Sequence, residues 1–516
     1  MKPQKLPIGI QSFVSLRNDG YLYVDKTALM YQLVNEGKYY FLSRPRRFGK
    51  SLLISTLHAY FDGKKELFDG LAVSELEKDW AAHPVLHLDL NTEKYDTAEA
   101  LTNKIDNALC EWEKIYGKSS SEKSFPIRFE GIIKRACEKT GQRVAILVDE
   151  YDKPMLQAIG NEDLQDEYRK TLKGFYGALK SMDEYIQFAI LTGVTKFSKV
   201  SIFSDLNNLK DISFDPRYQA ICGMTEEEVR TLFAPHIAAL AEAQNASVSE
   251  AYDTLKTRYD GYHFAANGTG IYNPFSLLSC LDRKEFGNYW FETGTPTFLV
   301  ELLKKQEYNL YRMAHEQVTA DTLNSIDAVF SSPIPVMYQS GYLTIKDYDN
   351  RFGIYTLGFP NTEVRDGFMR YLLPYYTSIR SSESAFNISQ FVRDIEKGNT
   401  DGFVQRLRSF FAGYPYELIR DLENHYQNVL YTVCTLMGTY VQAEYHTSNG
   451  RIDMVLQVPD YCYIMEFKFG RTALEAMEQI SSKDYTLPFE IGHRKIVRVA
   501  MNFSPEKKNI DDVLVD

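Results

Sequence analysis

The chain has 516 residues, 44% of them hydrophobic and 25% charged, the balance of an ordinary globular protein and enough for roughly three domains of about 100–200 residues. A formal net charge of −11 excludes a wholesale basic coating for nucleic acid, though not a local basic groove, because the field of a cleft follows the arrangement of charges. Six scattered cysteines without a CxxC pair, no apolar run of ~20 residues and no signal-peptide core make the expectation a cytoplasmic protein with reduced thiols and no membrane partner.

Residues 1–215 alternate strand-like and helix-like segments, the pattern of a parallel α/β sheet. The first strand expected is 39–43, an apolar run ending in Ser43. Arg44-Pro45-Arg46-Arg47-Phe48-Gly49-Lys50-Ser51 follows it. Leu52, Leu53, Ile54, Leu57, Tyr60 and Phe61 then recur at helical spacing. Strand, loop with Gly-Lys-Ser and helix together make the context of a phosphate-binding loop. Backbone N–H groups and the dipole at a helix start favour an anion there. Lys50 is expected to reach the outer phosphates and Ser51 to hold magnesium. The usual motif opens with glycine six residues before its lysine, and here that position is Arg44. Arg46 and Arg47 either restore positive charge to the loop or face solvent or a partner.

A second strand is expected at 84–90 and a third at 144–149, the latter running into Asp149-Glu150. Two carboxylates at the carboxyl end of a buried strand lie where open α/β sheets bind ligands. Asp149 is expected to act on the magnesium shell and Glu150 to polarise the attacking water as a general base. A fourth strand, 186–192, ends in Thr192, which could sense the terminal phosphate by hydrogen bonding. The expected nucleotide contacts are therefore Arg47, Phe48, Gly49, Lys50, Ser51, Asp149 and Thr192.

Residues 216–380 read as a mainly helical middle domain. Thr225 to Glu228 forms a capping box, and a helical stretch follows to about 258. Aromatic, turn-rich motifs come next: Tyr259-Asp260-Gly261-Tyr262-His263-Phe264, Tyr272-Asn273-Pro274-Phe275 and Tyr289-Trp290-Phe291-Glu292-Thr293-Gly294. The Ser-, Asn- and Asp-rich segment 381–400 is the expected junction, opening a third domain, 381–516, with helices near 401–412 and 417–437 and then a strand-rich unit.

Arg44 to Ser51, with Tyr23-Val24-Asp25-Lys26-Thr27, Phe203-Ser204-Asp205-Leu206-Asn207-Asn208-Leu209 and Tyr272-Asn273-Pro274-Phe275, resembles the AAA-ATPase-like family of bacterial proteins. The resemblance covers nearly the whole chain. It implies an ATP-binding P-loop core in which the loop's strand sits centrally, beside the strand ending in Thr192. It also implies a C-terminal PD-(D/E)XK nuclease-like α/β domain.

Two C-terminal segments bear on that second implication: 450–456, which contains Asp453, and 461–468, which contains Glu466 and Lys468. A turn at Pro459-Asp460 would pair them, and Glu466 and Lys468, two apart, share one strand face. This resembles the D…ExK signature of PD-(D/E)XK nucleases. Asp453 and Glu466 would then hold magnesium, with Lys468 stabilising a hydroxide and the developing charge. The first acidic position of that family falls on Glu423. Gln479 and Tyr485 depart from the QxxxY spacing of one nuclease branch and are not counted in the site. The alternative is a β-hairpin with a surface ion pair between Glu466 and Lys468.

The expected function is ATP binding, with hydrolysis, coupled to magnesium-dependent cleavage of phosphodiesters in DNA or RNA by the C-terminal domain. The alternative is a nucleotide-dependent switch or scaffold whose C-terminal domain binds nucleic acid or protein without cutting. A homo-oligomer stays open, since many such ATPases receive an arginine from a neighbouring subunit.

Overall fold

A computed structural model of the chain describes residues 4–196, 208–291, 299–300, 302–303, 306–314, 316–324, 332–377, 380, 383–412, 422–438 and 441–516. Residues 203–207 and 292–294 of the motifs quoted above, and the beginning of the helix expected from 417, lie outside them. The chain forms two compact units, Met1–Leu299 with His315–Val364, and Val300–Ala314 with Arg365–Asp516.

The first unit is built on a parallel sheet of β1 (Tyr39–Ser43), β2 (Val85–Asp89), β3 (Val144–Asp149), β4 (Ile186–Gly193) and β5 (Lys210–Asp211), in the order β2-β3-β4-β1-β5. Every residue of β3 is buried, as a strand covered on both faces requires. β4 lies between β1 and β3, with Ser43 beside Gly193 and Val148 beside Leu191. That insertion brings the ends of three strands together at one edge: the loop after β1, Asp149 and Thr192. Helices Lys50–Phe61, Ala98–Tyr116, Phe125–Thr140 and Glu162–Ser181 connect the strands. Their limits follow ordinary chemistry. Asn161 caps the last by accepting from the Leu164 N–H, and Gly141 in the left-handed region closes the helix before it.

Beyond the sheet the unit is largely helical. The capping box forms, with the Thr225 hydroxyl accepting from the Glu228 N–H and the Glu228 carboxylate accepting from the Thr225 N–H. The helical stretch expected to about 258 is three helices, Glu226–Leu232, Ala234–Ala243 and Val248–Tyr259. Pro235 starts the second, and a second capping box at Ser247 and Glu250 starts the third. A short pair, β6 (Met224–Thr225) and β7 (Ile271–Tyr272), leads into helix Pro274–Arg283, capped by Asn273.

A small antiparallel sheet also stands in this region: β8 (Glu316–Thr319), β9 (Thr344–Asp349) and β10 (Ile354–Gly358), in the order β8-β10-β9. The sequence did not suggest it, because the strands are short and β9 turns charged and exposed after its first two residues.

In the second unit the segment read as a junction contains helix Ser384–Glu396. Its apolar stripe is narrow: Phe391 and Ile395 are buried, and Phe391 packs edge-on against Phe403 and Phe410 of helix Thr400–Ala412. Helix Leu422–Leu436 precedes a five-stranded sheet of β11 (Val441–Thr447), β12 (Gly450–Gln457), β13 (Tyr461–Phe469), β14 (Lys495–Ser504) and β15 (Asn509–Val515). β13 is central, antiparallel to β12 and parallel to β14, and helix Ala473–Ser482 makes the crossover a parallel pair needs. No helix of the described residues is long and apolar enough to cross a membrane.

Candidate functional site

The loop after β1 is held by its own side chains. Arg44, where a glycine is usual, is almost wholly buried and turned away from the loop's mouth. Its guanidinium donates to the carbonyls of Ser43 (2.9 Å), Ser213 (2.9 Å) and Tyr218 (3.1 Å) and lies 4.1 Å from the Phe264 ring centroid. The Phe48 ring is enclosed edge-on by Tyr262 and Phe264 at 4.8 and 5.4 Å. The Trp290 indole N–H donates to the Arg46 carbonyl (3.2 Å), and the Arg47 guanidinium lies 5.1 Å from the Phe275 ring centroid. Thus the aromatic motifs of 259–264, 272–275 and 289–291 grip the loop, a role that local sequence does not reveal. Gly49 takes φ +92° just before the helix, and a Cβ there would meet nothing within 4 Å. Conformation, not space, therefore requires the glycine.

Lys50 begins helix Lys50–Phe61 and is buried. Its ammonium donates to the carbonyls of Arg44 (3.0 Å) and Pro45 (3.3 Å) and pairs with Glu150 at 3.4 Å. Glu150 holds φ +53°, an unfavourable value for a non-glycine residue, which swings its side chain into the space that Lys50 faces. Asp149 is buried behind it and accepts from the Thr192 hydroxyl at 2.6 Å. Thr192 is fully buried and, like Asp149, stands behind the residues that line the cavity; its hydroxyl orients Asp149.

Asp152 completes this edge and was not singled out from the sequence. It is fully buried and accepts from the N–H groups of Val194 (3.1 Å) and Thr195 (2.6 Å) and from the Thr195 hydroxyl (2.6 Å). The turn after β3 is thereby tied to the turn after β4. Burial, and then the charge of Glu150, push its carboxyl above the usual range. An acidic residue three positions after Asp149 was the available signal.

Lys50 and Glu150 open on a cavity of 670 Å³. Among the described residues Lys26, Arg46, Arg47, Lys50 and Lys153 line it, with Glu150 as the one acidic side chain. The lining also includes the apolar side chains of Ile8, Leu22, Val24, Met224, Phe275 and Leu278. Such a mixed lining suits a polyanion joined to a flat apolar-faced ring. Ser51, at the start of the helix, also lines the cavity. Its hydroxyl and the Asp149 carboxylate are the hard oxygen donors a magnesium ion takes.

The second cluster lies in the other unit. β12 and β13 pair through Met454 and Met465, and one step further along that register Asp453 falls opposite Glu466. Asp453 accepts from the Phe467 N–H at 2.8 Å. Glu466 is 1% exposed, so it is not part of a surface ion pair. One of its oxygens lies 3.1 Å from the Lys468 ammonium, and the other is buried without a partner. Burial, then the charge of Asp453, raises its carboxyl well above the usual range, while Lys468 opposes the shift. A buried carboxylate oxygen without a partner beside a second carboxylate fits a hard divalent cation.

Lys468 also donates to Gln479 (2.6 Å), whose amide nitrogen lies 3.4 Å from the Tyr485 hydroxyl. The two residues left out of the site on spacing grounds are therefore joined to it. Helix Ala473–Ser482 folds back over β13, and contact across that fold is invisible to spacing. Glu423 is exposed in the first turn of helix Leu422–Leu436. Among the described residues no group of three or more His, Cys, Asp or Glu is arranged to hold a metal, so Glu423 is not brought into one cluster with Asp453 and Glu466.

Comparison with known proteins gives both halves of the chain a relative. Residues 7–203 match the family described as predicted AAA-ATPase, and residues 421–513 match the PD-(D/E)XK nuclease superfamily. A protein of Azotobacter chroococcum mcd 1, described as an uncharacterized protein in the vnfD 5' region, is 38% identical over 531 residues, spanning 100% of this chain and 99% of that one. Among solved structures, the Aeropyrum pernix ORC2 protein in its ADPNP–ADP complexes is matched over 65% of this chain and 88% of that chain, at 11% identity and a TM-score of 0.19.

Proposed function

The chain belongs to the family of predicted AAA-ATPases that carry a C-terminal PD-(D/E)XK nuclease-superfamily domain, and from that premise we propose that it binds and hydrolyses ATP at the loop 44–51 and that its nucleotide state governs phosphodiester cleavage by the C-terminal domain. One observation carries the first half. In a chain of net charge −11, the cavity at the loop is lined by five cationic side chains and one carboxylate. Such a local excess attracts a polyphosphate whatever the sign of the whole molecule.

ATP would displace Lys50 from the carbonyls of Arg44 and Pro45 and from Glu150, drawing the ammonium onto the outer phosphates. Glu150, released from that pair, is left as the carboxylate in the cavity able to take a proton from water. Ser51 and Asp149 would hold magnesium, which supplies charge neutralisation of the phosphates when bound. Thr192 fixes Asp149, and Asp152 fixes the turn that carries Glu150. The apolar side chains of the lining would take the base.

In the C-terminal domain Asp453 and Glu466 would hold magnesium, which supplies an activated hydroxide and offsets charge on the scissile phosphate. Lys468, aimed by Gln479 and Glu466, would stabilise the developing charge. Nucleic acid, DNA in the first instance, is the partner, and the six free thiols accord with a cytoplasmic setting. The non-cleaving reading, a nucleotide-dependent switch, draws support from the two-carboxylate site, which lacks a third acidic ligand among the described residues.

Equilibrium binding of ATP and phosphate release by wild type, Lys50→Ala and Glu150→Gln test the ATP half. Binding should be lost in Lys50→Ala. Glu150→Gln should bind and fail to turn over. Wild type that neither binds nor hydrolyses ATP contradicts the proposal.

A further inference from the structure

Four of the cavity's cations differ in what already satisfies them. Lys26 is paired with Glu228 at 2.5 Å, Lys50 with Glu150 at 3.4 Å, and Arg47 lies over Phe275. Lys153 stands apart from these three, because hydrogen bonds to a single neutral residue, Asn91, hold it at the cavity wall. Its ammonium donates to the main-chain carbonyl of Asn91 and, at 2.9 Å, to the Asn91 side-chain oxygen. Two of its three N–H bonds are thereby used and the side chain is held in one place. Asn91 sits two residues beyond the end of β2, and Lys153 one tight turn beyond Glu150, whose carbonyl accepts from the Lys153 N–H at 3.1 Å.

The segments that follow the adjacent strands β2 and β3 thus hold one ammonium at the wall of the cavity that Glu150 also lines. Burial weakens its hold on a proton, the charges of Glu150 and then Asp89 oppose that, and Arg46 adds to it. A lysine that is half-buried and fixed at the wall of this cavity is placed to meet an anion that enters it.

We infer that Lys153 is a catalytic cation of the ATP site, contacting the γ-phosphate from within the same chain. The assignment rests on the ATPase reading above. In the step it serves, a water oxygen bonds to the γ-phosphorus while the bond from that phosphorus to the β–γ bridging oxygen breaks. The water's proton goes to Glu150, and ADP and inorganic phosphate leave. Lys153 stabilises the charge carried by the γ-phosphoryl oxygens during that exchange, the part that related ATPases assign to an arginine from a neighbouring subunit. The site is then complete in one chain.

The test is single-turnover hydrolysis of ATP beside equilibrium ATP binding, for wild type, Lys153→Ala, Lys153→Arg and Asn91→Ala, each checked by thermal unfolding. Lys153→Ala should lose about 100-fold in the hydrolysis rate, while ATP affinity changes by about 3-fold or less. Lys153→Arg should recover part of the rate, and Asn91→Ala should lie between. Wild-type turnover per chain should not depend on protein concentration. A Lys153→Ala variant that hydrolyses at the wild-type rate overturns the assignment and leaves the ATPase reading standing. Loss of ATP binding or of folding in Lys153→Ala, with no rescue by arginine, also overturns it, since that marks a structural strap. So does turnover per chain that rises with concentration. Wild type that releases no phosphate contradicts the ATPase reading itself, and this assignment with it.

Discussion

The Lys50 ammonium stands 3.4 Å from the Glu150 carboxylate, inside the cavity that both residues line. In the proposed site the lysine meant for phosphate is thus paired with the carboxylate meant to activate water. Glu150→Gln removes that ion pair. ATP should therefore bind this variant at least as tightly as wild type, while turnover falls by about 100-fold or more. Fluorescence titration with a labelled ATP analogue and a phosphate-release assay measure the two halves. Weaker binding by Glu150→Gln would contradict the arrangement.

Arg44 is a structural substitute for the missing glycine. Restoring the usual residue, Arg44→Gly, removes three charged hydrogen bonds and leaves the carbonyls of Ser213 and Tyr218 buried without that donor. The expected cost is roughly 2–4 kcal/mol, read as a fall in Tm of the first unit. ATP affinity should fall too, because Arg44 fixes the base of the loop. A variant as stable as wild type would remove Arg44 from this role.

Glu363 ties the fold to pH. It is buried, accepts from the Trp290 N–H (2.9 Å) and the Ser276 hydroxyl (3.0 Å), and has its second oxygen buried without a partner. Burial pushes its carboxyl up to about 7, against those two hydrogen bonds. The unfolded chain releases this proton near 4.5 and the folded chain only near 7, so between those values the native state binds the extra proton and stability falls as pH rises. Glu363→Gln should flatten that fall, gaining roughly 2–3 kcal/mol on wild type at about pH 8 and little at about pH 4. Unfolding curves across that range for both proteins give the difference directly.

Divalent metal should stabilise the second unit through Asp453 and Glu466. A buried oxygen without a partner and a neighbouring carboxylate are relieved together when a cation binds. At a metal concentration about 100 times its Kd the expected gain is about 2.7 kcal/mol. Calorimetric scans with manganese should show a rise in Tm that Asp453→Ala abolishes. An equal rise in both proteins would place the metal elsewhere.

The sequence made visible what is local and periodic. β1, β3 and β4 announced themselves because strands buried on both faces are continuous apolar runs. Thr225 and Glu228 declared a helix start because a capping box is complete within four residues. What depended on the tertiary fold stayed hidden. Nothing near Phe48 predicts the rings of Tyr262 and Phe264 more than 200 residues away. The position of Thr192 at a strand end is legible in the sequence, while its hydrogen bond to Asp149 on the adjacent strand is not. Gln479 and Tyr485 fail a spacing pattern, yet Gln479 meets Lys468 in space and Tyr485 meets Gln479.

Coupling between the ATP loop and the cleaving domain is read by cleavage of end-labelled DNA, single- and double-stranded, with magnesium or manganese and with or without ATP, in wild type, Lys50→Ala and Asp453→Ala. Wild type should cut at a rate that changes on adding ATP. Lys50→Ala should cut at a rate that ignores ATP, and Asp453→Ala should not cut. Wild type that cuts with neither metal, or an Asp453→Ala variant that cuts as well as wild type, would contradict the coupling.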